Sequence, residues 1–289
     1  MSKPTEQPLV ATTAPIVMVT SIAPGNVENQ KAAMQSWLIH GFSIVSLNNR
    51  EEVNQLQPIY TDITFYAVNR DAHDEVGKPL IYLDSVFDYL REYGTDVCGI
   101  VNSDIHLKAD SRFVSFIRRQ AKNSVLFASR VDVNSIEEVE GEVLWIGFDV
   151  FFFDKQLIKH FPFSKFCLGI PMWDYWLPLI VLTKGICLKY VAIPVFHHVK
   201  HLKNWGLDLH TKYAIHFTEF FGPRNLSTRL QKMVQEHPIQ TRQEINKITK
   251  QTQQMIYFGG KTIFITYNTH HYLENEGNNK LIKIVLPPK

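Results

Sequence analysis

Asp96-Val97-Cys98-Gly99-Ile100-Val101-Asn102-Ser103-Asp104 is an apolar run that ends in a small polar cluster with one carboxylate at its tip. A run of this length, β-branched and free of proline, predicts a strand covered on both faces. In open α/β sheets such strands carry ligands in the crevice beyond their carboxyl ends. Asp104 is thereby expected where a hard cation and the phosphates of a nucleotide can meet, since carboxylate oxygen suits Mg²⁺ or Mn²⁺.

Working outward, the first half of the chain alternates strand and helix. Ile16 to Thr20, Phe42 to Leu47 and Ile63 to Val68 are short β-rich runs. Between them, Asn29 to His40 places Ala32, Ala33, Trp37 and Leu38 at helical spacing, and Gly41 ends the helix. Glu51 to Leu56 predicts a helical turn. Pro79 predicts the start of a helix whose buried face is Leu80, Leu83, Phe87 and Leu90, with Gly94 as its stop. Ser111 to Ala121 predicts another helix, and Ser124 to Ser129 another strand.

Beyond residue 140 the pattern changes. Glu142 to Phe153 predicts one or two extended segments of mixed direction, Met172 to Leu182 a helix despite Pro178, and Cys187 to Phe196 a last strand ending at His197 and His198. From Trp205 the periodicity is helical and polar, over 212–221, 226–235 and 243–255, and the tail from Ile263 is ambiguous between strand and coil. The expected fold is α/β, a Rossmann-type mixed sheet with helices on both faces. Its expected parts are a disordered leader (1–14), a catalytic domain (15–203) and a mainly helical C-terminal extension (204–289).

Composition narrows the class. Hydrophobic residues make up 45% and charged residues 20%, a globular profile. The longest apolar stretches are interrupted, as at Gly147 and Asp149, so no transmembrane helix is expected. The Thr- and Pro-rich start has no apolar core and does not resemble a secretory signal. Cys98, Cys167 and Cys187 fit neither a zinc spacing nor a disulfide framework, which predicts buried free thiols and a cytoplasmic home. Residues 1–203 carry 19 Lys and Arg against 22 Asp and Glu, and residues 204–289 carry 11 against 6. That excess is too diffuse for a nucleic-acid stripe, so no nucleic-acid partner is expected. It leaves room for an anionic acceptor, peripheral contact with a membrane surface, or a homo-oligomer. There is no G-x-G-x-x-G and no G-x-x-x-x-G-K-[ST], so dehydrogenase and P-loop readings lack support.

Three clusters complete the pattern: Asn102-Ser103-Asp104, Gly169 to Trp176 with its single carboxylate Asp174, and Phe196-His197-His198-Val199-Lys200-His201. In this order and spacing the chain resembles GT-A-type glycosyltransferases over about residues 14–203. Those enzymes transfer a sugar from a nucleotide-diphosphate donor. Asn102-Ser103-Asp104 stands where that family commonly has Asp-x-Asp, with Asn in the first place. The resemblance implies Mn²⁺ or Mg²⁺ held by Asp104 and a C-terminal His, with Asn102 at ribose or a metal-bound water. If the strand persists, His197 and His198 face opposite ways, and His198 is preferred for the metal. His197 and His201, at i and i+4, also have a spacing that suits a metal, though without the Glu of HExxH.

The resemblance further implies Asp174 as the base that deprotonates the acceptor, with inversion at the anomeric carbon. Trp173, Trp176 and His201 are then expected at the acceptor or sugar. An acid at this place also serves a helix N-terminus. Lys200 and Lys203 are candidates for the diphosphate. The nucleotide is expected over the first strand ends, at Thr20, Ser21, Asn49, Arg50 and Arg70, with Lys78 before a helix start and Ser103 beside the metal motif. The expected function is metal-assisted transfer from a UDP- or GDP-sugar to a glycan, lipid-linked or protein acceptor. Two alternatives stand beside it: a nucleotidyltransferase that makes a nucleotide sugar, and a non-catalytic nucleotide- or sugar-binding protein. The first usually has a Gly-rich basic loop after strand one, whereas residues 21–26 here contain one Gly and no Lys or Arg.

Overall fold

A computed structural model describes residues 14–201 and 206–266. The expected leader lies almost wholly outside these residues, as do Lys203 and the tail beyond 266. The first part runs β1 (Val17–Thr20), α1 (Val27–Leu38), β2 (Ser43–Asn48), α2 (Arg50–Leu56), β3 (Thr64–Ala67), α3 (His73–Val76), α4 (Leu83–Tyr93) and β4 (Val97–Val101). There follow β5 (Ile105–Leu107), α5 (Phe113–Ala121), β6 (Ser124–Ala128), β7 (Val131–Val133), β8 (Glu142–Val143), β9 (Val150–Asp154), α6 (Trp173–Thr183) and β10 (Cys187–Val191). The last elements are β11 (Phe196–Val199), α7 (Leu207–Phe221), α8 (Leu226–Glu236), α9 (Pro238–Phe258) and β12 (Thr262–Ile265).

The main sheet has the order β12-β10-β6-β9-β4-β1-β2-β3. Its pairs are parallel except those of β9, which runs antiparallel to both β4 and β6. The β3-β2-β1-β4 part has the strand order of a doubly wound nucleotide-binding half. This is the expected mixed α/β sheet, covered on both faces.

Alternation along the central strands builds the two cores. Val17, Val19, Cys98, Ile100, Phe151 and Phe153 face the cluster under α4 and α6. Met18, Val97, Val101, Val150 and Phe152 face the cluster under α1 and α5. Period-two side chains on a strand buried from both sides give this division. The C-terminal helices join the first core through Tyr213, Phe217, Ile245, Ile256 and Tyr257, and β12 extends the main sheet beside β10.

Three sequence expectations are corrected. The expected strand 187–196 is two strands in different sheets. The chain leaves β10, passes Pro194, which has no N–H for a ladder, and enters β11 in a four-stranded sheet of order β5-β11-β7-β8. His197 and His198 therefore lie within a strand rather than after one. The helix expected from Pro79 starts at Leu83 instead. Residues 81–83 pair with 166–168, through Leu168 N–H to the Ile81 carbonyl and Leu83 N–H to the Phe166 carbonyl. Finally, Ser111 does not cap α5; the Asp110 carboxylate accepts from the Arg112 N–H just before it. Of the cysteines, Cys98 and Cys167 are buried free thiols and Cys187 is half-buried.

The segment that follows β4 is clamped from α1. The Trp37 indole donates to the Ile105 carbonyl at 2.7 Å, Ser36 Oγ accepts from the Leu107 N–H at 2.8 Å, and Ser103 Oγ donates to Gln30 Oε1 at 2.7 Å. Trp37 is fully buried between Phe42, Phe152 and Phe196. These bonds fix the path of residues 103–107, and with it the position of Asp104.

Gly99 lets β4 fit between its neighbours. A methyl group there would run into the Met18 thioether and, at 2.6 Å, the Phe151 carbonyl oxygen. Gly99→Ala is predicted to cost about 1–3 kcal/mol, the scale of core overpacking. Urea unfolding measures it; a loss below about 0.5 kcal/mol contradicts this packing.

Candidate metal and nucleotide site

Asp104 follows β4 at the C-terminal edge of the main sheet, and the four-stranded sheet brings His198 to it. His198 Nε2 stands 3.5 Å from Asp104 Oδ2, and His201 Nε2 stands 2.9 Å from the same oxygen. The ligand atoms of these three residues all lie within 4.8 Å of one another. His198 is 5% exposed, Asp104 23% and His201 33%, so the cluster opens toward solvent from a buried base. Alternation on β11 turns His197 the other way, where Nε2 meets the Pro194 carbonyl at 3.1 Å.

The electrostatics follow from these contacts. Burial opposes a charge on Asp104, but hydrogen bonds from His198 and His201 outweigh it and hold the carboxyl well below the usual range. Burial likewise works against a charged His198, yet its bonds to Asp104 and Asp132 push it up to about 9. Two imidazole nitrogens and one carboxylate oxygen form a donor set that fits a divalent transition metal such as Mn²⁺, and fits all-oxygen-loving Mg²⁺ less well.

A second tier surrounds the triad. His198 Nδ1 is 2.9 Å from Asp132 Oδ1, which also accepts from Arg130 Nε at 2.8 Å. Arg130 Nη1 donates to Asp149 Oδ1 at 3.2 Å, and Asn102 Nδ2 donates to the same oxygen at 2.6 Å. This explains the amide at position 102. Asp149 is 6% exposed, and a carboxylate at 102 would face its oxygen with no donor between them. The Asn102 amide donates to that oxygen and adds no second buried negative charge.

Asp174 lies in the first turn of α6, and its Oδ2 accepts the Phe148 N–H at 3.0 Å, one residue from Asp149. Burial pushes this carboxyl up to about 7, against the hydrogen bond from Phe148. The loop that offers the N–H turns at Gly147, with φ of 126°.

The remaining expected site residues divide. Thr20 ends β1 beside Ser46 of β2, fully buried, and its Oγ1 has no partner among the described residues. Ser21 follows it, half-buried. Asn49 caps α2 by accepting the Glu52 N–H and donates to Asp71, and Arg50 is exposed at the helix start. Ser103 is taken up by Gln30. Lys200 is 47% exposed and 4.0 Å from Glu142.

Four expectations are corrected. Arg70 is engaged by aromatic rings instead, its guanidinium over Tyr82 at 4.2 Å from the centroid and near Phe163. Lys78 does not stand at a helix N-terminus, since α4 starts only at Leu83. Trp173 and Trp176 are 2% and 0% exposed, so neither ring offers a face to a sugar. They are core residues because α6 is apolar nearly all round, with eight of its residues buried. His201, expected at the acceptor, stands instead on the Asp104 carboxylate.

Asp132, Arg130 and Asp149 were not singled out by sequence. The alternation Arg130-Val131-Asp132-Val133 places the two charges on one face of a strand, and Asp149 is the lone charge in a long apolar run. Those are the signals that could have found them.

No protein-family model and no curated protein matches this sequence. Solved structures give distant likenesses. The inositol-1-phosphate CTP transferase from T. maritima is 10% identical, over 68% of this chain and 93% of that one, with a TM-score of 0.40. Rv0371C from Mycobacterium tuberculosis H37Rv, in complex with manganese, is 11% identical over 70% and 98%, with a TM-score of 0.42. The 4-diphosphocytidyl-2C-methyl-D-erythritolsynthase from Anaerococcus prevotii DSM 20548 is 10% identical over 77% and 99%, with a TM-score of 0.40. Likenesses this faint carry neither fold nor chemistry. Among the described residues no helix is long and apolar enough to cross a membrane.

Asp174 gives a pH prediction. Its carboxyl ionises near pH 3.8 when unfolded and near 7 when folded. Between those values the unfolded chain loses its proton first, so stability falls as pH rises through this window and levels off above it. Asp174→Asn keeps an acceptor for the Phe148 N–H and removes the fall. Urea unfolding at pH 5 and pH 8 should show a wild-type loss larger than the variant's by about 2–3 kcal/mol. Equal pH dependence in the two proteins counts against a buried, proton-holding Asp174.

Proposed function

We propose that this chain is a metal-assisted glycosyltransferase that moves a sugar from a UDP- or GDP-sugar to an acceptor hydroxyl. One observation carries the proposal: Asp104, His198 and His201 converge at the carboxyl end of β4, where an open α/β sheet takes its ligand. A divalent cation bound there supplies Lewis-acid neutralisation of the departing diphosphate.

The chain's own residues divide the remaining work. Thr20 Oγ1, fully buried at the end of β1 and without a partner among the described residues, is closed off from a nucleotide, which leaves the contact to the residues around it. Ser21 and Asn102 flank it at the neighbouring strand ends, and Lys200 brings a positive charge to the mouth. Gln30 holds the loop after β1 through Ala23 and holds Ser103 as well, so the nucleotide loop and the metal loop are set relative to each other. Asp174, poised near neutral pH, takes the acceptor proton as the hydroxyl attacks the anomeric carbon. Attack from the face opposite the diphosphate inverts that carbon. The basic loop that nucleotidyl transfer uses after the first strand is replaced here by Ser21-Ile22-Ala23-Pro24-Gly25-Asn26.

The experiment is turnover of UDP- and GDP-sugars with and without Mn²⁺, followed by NMR of the released sugar. Wild type should release nucleoside diphosphate only with metal and give the inverted anomer. Asp104→Ala should abolish release, and Asp174→Asn should keep donor binding while lowering turnover by about 10²–10⁴-fold. Full turnover by Asp104→Ala contradicts the proposal. So does pyrophosphate release from a nucleoside triphosphate and a sugar phosphate, which identifies nucleotidyl transfer.

A further inference from the structure

The triad's geometry is set by residues that do not belong to it. Asp132 and His198 are register partners in the parallel β7·β11 pair, so their side chains leave the small sheet on the same face. Asp132 Oδ1 meets His198 Nδ1 at 2.9 Å, and the ring's other nitrogen then faces Asp104. Arg130, two residues earlier on the same face, donates through Nε to that Asp132 oxygen and through Nη1 to Asp149 Oδ1. Asn102 closes the chain on Asp149, by its side-chain amide at 2.6 Å and its backbone N–H on the Asp149 carbonyl at 3.1 Å. Two peptide bonds separate Asn102 from Asp104.

The contacts form a closed circuit: Asp104, His198, Asp132, Arg130, Asp149, Asn102 and back along the chain to Asp104. Side-chain exposures of 16% for Asp132, 19% for Arg130 and 9% for Asp149 keep it largely out of water. In so closed a setting each charge has a partner of the other sign. Nothing in the circuit except Asp104 and His198 needs to touch a metal.

The geometry points to Asp132, braced by Arg130, as the positioning residue that aims His198 Nε2 at the metal. This rests on the metal site of the proposed function and adds to it. Asp132 holds the proton on Nδ1 and fixes the ring plane, which leaves Nε2 as the donor. Arg130 fixes Asp132 in turn and ties it through Asp149 to the Asn102 end of the metal loop. The imidazole and the carboxylate are thereby presented at a set separation before any ion arrives. His201, 33% exposed, meets the Asp104 carboxylate from outside the circuit.

The test uses the full chain without nucleotide. Mn²⁺ affinity is read from the free-ion EPR signal, Co²⁺ geometry from visible absorption, and folding from metal-free thermal melting. Asp132→Ala should weaken Mn²⁺ binding by about 10–100-fold, the scale of lost outer-shell support, and shift the Co²⁺ spectrum. Asp132→Asn, which keeps an acceptor oxygen for Nδ1, should recover most of the affinity and the wild-type spectrum, and covers the case in which the alanine variant fails to fold. In a His198→Ala background, Asp132→Ala should change Mn²⁺ affinity by less than about twofold, because its effect passes through that ring.

Asp132→Ala that folds and binds Mn²⁺ as wild type does overturns the assignment. So does an equal loss with and without His198, or an asparagine variant as impaired as a folded alanine one. Wild type that binds no Mn²⁺ overturns the metal site and this inference together. Wild type that binds Mn²⁺ through Asp132-supported His198 yet turns over no nucleotide sugar sustains the inference and removes the glycosyltransferase reading alone.

Discussion

One carboxylate held between two imidazoles organises this molecule's functional end. Asp104 Oδ2 stands 2.9 Å from His201 and 3.5 Å from His198, and the hydrogen bonds from both rings prevail over the burial that would otherwise keep the carboxyl neutral. The carboxylate is thus held in its charged, ligating form, whereas His198, pushed up to about 9, has to give up a proton before Nε2 can hold a metal. Asp104, His198 and His201 would together hold a divalent cation, whose charge would stand in for the ring protons that now face this oxygen. The rest of the architecture serves to bring these three side chains together across 97 residues of chain.

Two features of the fold do this. The first is the clamp from α1 onto residues 103–107, in which Trp37, Ser36 and Gln30 each hold one point of the path. The second is the break at Pro194, which diverts the chain from the main sheet into β11 and lays His198 beside Asp132 and close to Asp104. A single continuous strand through 187–199 would keep the histidines in the main sheet. A short second sheet at the carboxyl edge of the first is thus the device that makes a site out of distant sequence.

Much of this is legible in the residues. The 97–101 run with its polar tip, the alternation of Val17, Met18 and Val19, and the periodicity of α1 and α4 all have local causes, and local causes can be read from one chain. Asp104 and His198 were legible because they end or follow apolar runs. Asn102 was legible only as a departure: its reason is Asp149, 47 residues away, whose buried oxygen needs an amide donor. The tryptophans beside Asp174 misled because aromatic side chains serve a sugar face and a core equally well, and only the burial of α6 on nearly all sides decides between them. Lys78 and the start of α4 were misplaced because the pairing of 81–83 with 166–168 is non-local and overrides the helical preference after Pro79.

The most direct measurement is anomalous diffraction from crystals of the full chain soaked in Mn²⁺ with UDP or GDP. The account predicts a single manganese peak beside Asp104, His198 and His201, with the diphosphate against the same peak. A manganese bound elsewhere, or a diphosphate seated with Asp104 turned away and both imidazoles unligated, would contradict it.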